Sequence, residues 1–238
     1  MRNFLKLKLL SVLLLLSVVG TAQEHSTFKT NFFNEVEFPK NVTVTEQALQ
    51  CNGYGALSQN LSKIFSCALY VAHPSDDAIN LIYSDDLKVI ELVMTSNNLQ
   101  SEATIKRMRK AYAVDLKIGA DASESDKKFV ADLRKQEQIN PSQVITVEKL
   151  FGEAFKNSTA GNTETINSEI VEYIASFSEL IVKGDHFRII SQNNLVTLYK
   201  NGNELFQTNN KAFKKALMNI YLGNTPIDTS LRDDLLSL

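Results

Sequence analysis

The 238-residue chain has only two cysteines, Cys51 and Cys67, and three histidines, His25, His73 and His186. Two thiols build neither a disulfide framework nor a four-thiolate zinc site. Three scattered imidazoles give no metal-ligand spacing. Basic residues are not in excess either: 25 Lys and Arg stand against 27 Asp and Glu, for a formal charge of −2. A dedicated nucleic-acid binder needs a basic stripe to neutralise phosphates, and the composition argues against that class. There is no nucleophile elbow, Ser–His–Asp signature or phosphate loop. Gly53-Tyr54-Gly55 lacks a third glycine at dinucleotide spacing and a following helix, so no nucleotide cofactor is implied, nor any other.

What is present begins with the leader. Arg2, Lys6 and Lys8 precede an eleven-residue apolar run from Leu9 to Val19, and Gly20-Thr21-Ala22 supplies small residues for cleavage. This pattern is a secretory signal peptide. The run is shorter than the ~20 residues a bilayer-spanning helix needs, so no transmembrane segment is expected after cleavage. No cysteine follows it to carry a lipid anchor. The expected mature chain is residues 23–238, one domain, starting at Gln23, with a net charge of −5 once three basic residues are removed. The leader's style is bacterial, giving an expected periplasmic or secreted location.

With 44% hydrophobic residues, the chain can build a core. Residues 31–50 read as short strands interrupted by Pro39, and Gly53 and Gly55 as a permissive corner. Ile64–Ala72 is nearly all apolar and reads as a strand buried on both faces. Ser75-Asp76-Asp77 caps a short helix, and Leu87–Met94 is the next strand, with Leu87, Val89, Glu91 and Val93 on one face. Residues 101–180 show helical spacing instead. Asn140-Pro141-Ser142 opens one of these helices, and Ile166, Ile170, Tyr173, Ile174, Phe177 and Ile181 form the clearest stripe. Strands return from Phe187, with Asn201-Gly202 as a hairpin signal. Asn209 then caps a helix that stops at Gly223, and Thr229 or Ser230 caps the last one. The predicted class is α+β, an antiparallel sheet covered by helices.

Some residues invite chemistry. Cys51 and Cys67 read either as a disulfide or as two buried thiols. His73 and His186 sit at strand ends and are expected to be solvated. Glu91 is either a pocket carboxylate or an outward-facing residue. Lys106, Arg107, Arg109 and Lys110 are four basic residues in five, read as a helix surface or as recognition of an anionic head group.

Two blocks together resemble the chalcone isomerase-like family. One is Cys51-Asn52-Gly53-Tyr54-Gly55 followed by Ile64–Val71. The other runs from Lys183-Gly184-Asp185 through Asn201-Gly202 to Leu222-Gly223-Asn224-Thr225-Pro226-Ile227-Asp228, with Lys149–Asn157 fitting the helix before it. The resemblance implies an open-faced sandwich, a large antiparallel sheet with helices on one face and a cleft between them. In the family that cleft closes a chalcone ring or holds a fatty-acid carboxylate, with an arginine two residues after Gly-x-Gly. Here that position is Leu57, and the next strand's hydroxyl position is Phe65. Only Thr197 matches a family threonine. Leucine cannot donate to a carboxylate or a developing oxyanion.

Three readings follow from the resemblance. The leading one is a secreted, non-catalytic protein binding an apolar small molecule such as a fatty acid, with Leu57, Phe65, Tyr70, Arg107 and Thr197 as candidate cleft residues. The second is an isomerase or intramolecular lyase with a site rebuilt on Tyr54, Arg107 or Thr197. The third is a cell-envelope interaction protein with a filled cleft.

Overall fold

A computed structural model of the chain describes residues 27–29, 36–59, 62–113, 122–135 and 143–237. The leader at 1–22 and the Asn140-Pro141-Ser142 helix start lie outside them. The main sheet has seven strands in the order β11-β10-β9-β6-β5-β4-β3, and every neighbouring pair is antiparallel. They are β3 (Asn41–Val44), β4 (Gln47–Gln59), β5 (Ser62–Val71), β6 (Lys88–Met94), β9 (His186–Gln192), β10 (Leu195–Lys200) and β11 (Asn203–Thr208). Short β1 (Thr27–Lys29) and β2 (Glu37–Pro39) pair with each other, as do β7 (Leu99–Gln100) and β8 (Ile145–Thr146). Seven α-helices accompany the strands among the described residues: α1 (Ala78–Tyr83), α2 (Glu102–Ala113), α3 (Glu124–Lys135), α4 (Val147–Ser158), α5 (Asn167–Ala175), α6 (Lys211–Leu222) and α7 (Thr229–Leu236), with a single 3-10 turn at Glu164–Ile166. This is the α+β, sheet-and-helix fold expected.

Alternation of side chains along the strands sorts the core into two layers. Leu57, Phe65, Cys67, Leu69, Ile90, Leu92, Phe187, Ile189 and Leu198 pack with Phe151, Phe155, Tyr173, Phe213 and Leu217 of the helices. On the other face, Ala68, Tyr70 and Val89 pack with Phe38, Val44 and Leu49 near the N-terminal edge. The two cysteines fall on opposite sides, Cys51 with the second layer and Cys67 in the first, and both are free thiols. The disulfide reading is therefore wrong. Burial without a compensating charge pushes the Cys51 thiol up to about 11.

Gly53 and Gly55 are not a corner. They lie inside the 13-residue β4, and neither has a positive φ. Their reason is close approach: a Cβ on Gly53 would stand 2.2 Å from the Asp234 carbonyl oxygen, and one on Gly55 2.5 Å from the Asp234 carboxylate. Asn52 completes the clasp. Its amide nitrogen donates to the carbonyls of Leu235 at 2.8 Å and Ser75 at 3.0 Å, and its oxygen accepts from the Ser75 N–H at 2.7 Å. So Asn-Gly-x-Gly seats the last helix on the sheet.

Other boundaries move by a residue or more. The caps of α4, α6 and α7 are Thr146, Asn210 and Asp228, each accepting from a first-turn N–H. The stripe to Ile181 outruns its helix, which ends at Ala175; Phe177 and Ile181 are buried beyond it. Ile174 is only partly buried, whereas Tyr173 is fully so. The Asn201-Gly202 turn has φ of 50° and 84°, the left-handed pair that a tight hairpin requires.

Candidate functional site

The interior between helices and sheet is apolar and closed. Leu57, Phe65 and Met94 stand in one cross-strand row on β4, β5 and β6, with Leu57 and Phe65 wholly inaccessible. The aromatic rings of Phe151, Tyr173, Phe177 and Phe187 stack or meet edge-on at centroid distances of 5.0–5.6 Å, a spacing at which rings attract one another.

Two neighbouring tyrosine hydroxyls interrupt the aromatic part of this space, and the buried Ser191 hydroxyl lies further along β9 on the same face. The hydroxyls of Tyr173 on α5 and Tyr221 on α6 neighbour each other, and both side chains are fully buried. Neither makes a well-formed hydrogen bond among the described residues. Burial pushes both phenols above their ordinary range, Tyr221 further raised by Tyr173 and by the nearby Cys67. Both therefore stay neutral, and because the two hydroxyls interact with each other, the pair keeps one O–H to donate outward. A buried hydroxyl without a partner costs on the order of 1–3 kcal/mol. An acceptor arriving at this point would recover part of that cost.

The other nominated residues do not converge on this interior. Tyr70 points to the other face of the sheet, free of helices among the described residues, where its hydroxyl donates to the Pro39 carbonyl at 2.9 Å. Burial raises its phenol above the usual range. Thr197 faces the same way: Tyr70, Val89, Ile190 and Thr197 form one cross-strand row, and the Thr197 hydroxyl accepts from the Gln207 amide at 3.3 Å. The strand period of two explains both, because each is an even step from a residue of that face. Arg107 on α2 binds Asp126 of α3 at 3.1 Å and lies over the Phe129 ring at 4.1 Å. It borders a groove of about 670 Å³ that also presents Lys128, Asp132, Glu179 and Lys200, a mixture of signs. As a cleft wall, the set thus reduces to Leu57 and Phe65.

Tyr173 and Tyr221 were within reach of sequence reasoning only as members of apolar stripes. Tyr173 follows Ile170 by three residues and Tyr221 follows Leu217 by four, spacing that marks core and not chemistry. Among the described residues, no three His, Cys, Asp or Glu side chains gather to hold a metal, and no helix is long and apolar enough to cross a membrane.

Comparison with known proteins bears on this geometry. A sequence model described as chalcone isomerase-like matches residues 31–147 and, in a second match, residues 120–237. No curated protein matches the chain in sequence. Among solved structures, a fatty-acid binding protein from Arabidopsis thaliana is similar in fold, with a TM-score of 0.56 at 12% identity, covering 89% of this chain and 96% of that one.

Proposed function

The chain belongs to the chalcone isomerase-like family, and from that premise we propose that it is a secreted, non-catalytic protein that takes up an apolar ligand of the fatty-acid class between helices and sheet. The observation that carries the reading is an apolar interior in which two neighbouring tyrosine hydroxyls meet. Leu57, Phe65 and the aromatic rings suit a hydrocarbon chain, and the Tyr173 and Tyr221 hydroxyls suit a carboxyl group. The fold shared with a plant fatty-acid binding protein supports it. The leader from Arg2 to Ala22 supports secretion. The lack of a charged donor on Leu57 and Phe65 supports the absence of catalysis, because ring closure on a chalcone needs donors aimed at the developing enolate oxygen.

Closed packing also favours a second reading, an interaction protein whose interior stays filled. The two separate in a titration of delipidated mature protein with oleate, followed by calorimetry. Saturable binding at one site, weakened roughly 2- to 13-fold in Tyr221→Phe by loss of one hydrogen bond, supports the ligand reading. No saturable heat, with the protein folded, overturns it.

A further inference from the structure

The face of the sheet that carries Tyr70 and Thr197 holds a second polar cluster, on the neighbouring strands β6, β9 and β10. Glu91 of β6 and Arg188 of β9 face each other across the ladder, and Tyr199 of β10 continues the same row. His186 lies two pairs along the ladder, on the same face, opposite Val93. The Glu91 side chain is only 4% exposed, although it sits on the face without described helices. Its carboxylate accepts from Arg188 Nε at 2.6 Å and pairs with His186 Nε2. Above it is a hollow of about 270 Å³ lined by His186, Arg188, Ile190, Tyr199 and Gly202.

We propose that this hollow is a binding site for a small organic carboxylate. A guanidinium carries five N–H donors in a planar fork. Glu91 takes the one on Nε, and the terminal nitrogens of Arg188 have no hydrogen-bond partner among the described residues. That leaves the paired edge that binds a carboxylate through two parallel bonds. The Tyr199 hydroxyl, likewise without a described partner, is a further donor on the wall. The one carboxylate of the cluster is already buried and bound, and the exposed Glu204 opposite Tyr199 does not line the hollow. The wall therefore selects an acceptor of negative charge over a cation. Ile190 and the Tyr199 ring supply an apolar surface for the ligand's hydrocarbon part.

Glu91 acts as a positioning residue. A buried ion pair is seldom retained for stability, since apolar residues of the same size commonly do as well. Here the pair fixes the guanidinium plane before the ligand arrives, which reduces the ordering cost of binding. The expected solvated role for His186 is thus corrected: it is half-buried against Glu91.

The test is a ¹H–¹⁵N NMR titration of mature protein with benzoate, with benzamide as a neutral ligand of the same shape, and with inorganic phosphate. Expected are saturable benzoate shifts centred on the amides of Arg188, Tyr199 and Gly202, with benzamide at least tenfold weaker. Arg188→Gln should weaken benzoate at least tenfold and Glu91→Gln several-fold. Arg188→Lys, which keeps the charge and is the safer variant for folding, should still lose affinity because it lacks the fork. Saturable shifts from benzamide equal to those from benzoate, shifts centred elsewhere, binding of phosphate but not benzoate, or no saturable shift at all would each overturn the proposal.

Discussion

Gly53→Ala tests how the last helix is held. The new Cβ would stand 2.2 Å from the Asp234 carbonyl oxygen and 2.6 Å from the Leu235 carbonyl carbon, both well inside ordinary contact, which begins at 3.4 Å. Both obstacles are backbone, so no side chain can rotate away. Either β4 or α7 must move. Overpacking of this kind costs roughly 1–3 kcal/mol. A shift of α7 also loosens the 2.8 Å bond from Asn52 to the Leu235 carbonyl, a hydrogen bond contributing ~1 kcal/mol. The expected loss is therefore about 2–4 kcal/mol, a fall in Tm of roughly 5–15 °C for a chain of this size. Urea and thermal unfolding of the mature protein measure it. Gly152→Ala is the control. It lies within α4, and its Cβ would meet nothing within 4 Å, so it should gain ~0.5–1 kcal/mol. In a chain ending at Asp233, where the obstructing carbonyls are gone, Gly53→Ala should lose most of its effect. A full-length Gly53→Ala variant within ~0.5 kcal/mol of wild type would refute this account of the Asn-Gly-x-Gly clasp.

Four other outcomes are expected. Burial lowers the Lys88 ammonium to about 8; above that pH the unfolded chain binds more protons, so stability should rise with pH from about 8 toward the ordinary lysine range, a slope that Lys88→Met should abolish in urea melts at stepped pH. Leu57→Arg places an unpaired guanidinium in a fully buried apolar position and should cost several kcal/mol, with the lost Tm partly recovered by added oleate but not by oleyl alcohol. Asn210→Ala removes the side chain that accepts from the Ala212 and Phe213 N–H groups and should destabilise by ~1 kcal/mol in thermal melts. The purified protein should consume chalcone at the spontaneous rate in an absorbance assay, and turnover abolished by Arg107→Ala or Thr197→Ala would reverse the non-catalytic reading.

Features encoded by local pattern were legible in the sequence. The apolar run at Ile64–Ala72 is the interior strand β5 to within a few residues, one place from the middle of the sheet, and Asn201-Gly202 makes its hairpin because two left-handed residues are what that turn demands. Features made by distant contacts were not. Gly53 and Gly55 suggest a flexible corner until α7, some 180 residues later, presses its backbone against them. Periodicity carried the α5 stripe on to Ile181, because Phe177 and Ile181 stay buried after the helix ends and burial alone does not report backbone conformation. Tyr70 and Thr197 look suited to a cleft by type, but the face each takes depends on strand register. Glu91, Arg188 and His186 are chemically ordinary in sequence, and only the pairing of β6 with β9 makes them a cluster.

Native mass spectrometry of the protein, purified without detergent from the cells that make it, tests the ligand-binding claim most directly. The account predicts a population carrying one additional small apolar molecule, released on denaturation and identified as a fatty acid or a relative of similar chain length. In Tyr173→Phe/Tyr221→Phe protein that population should shrink. A bare polypeptide mass that stays bare after incubation with excess oleate would contradict the claim and leave the filled-interior reading in its place.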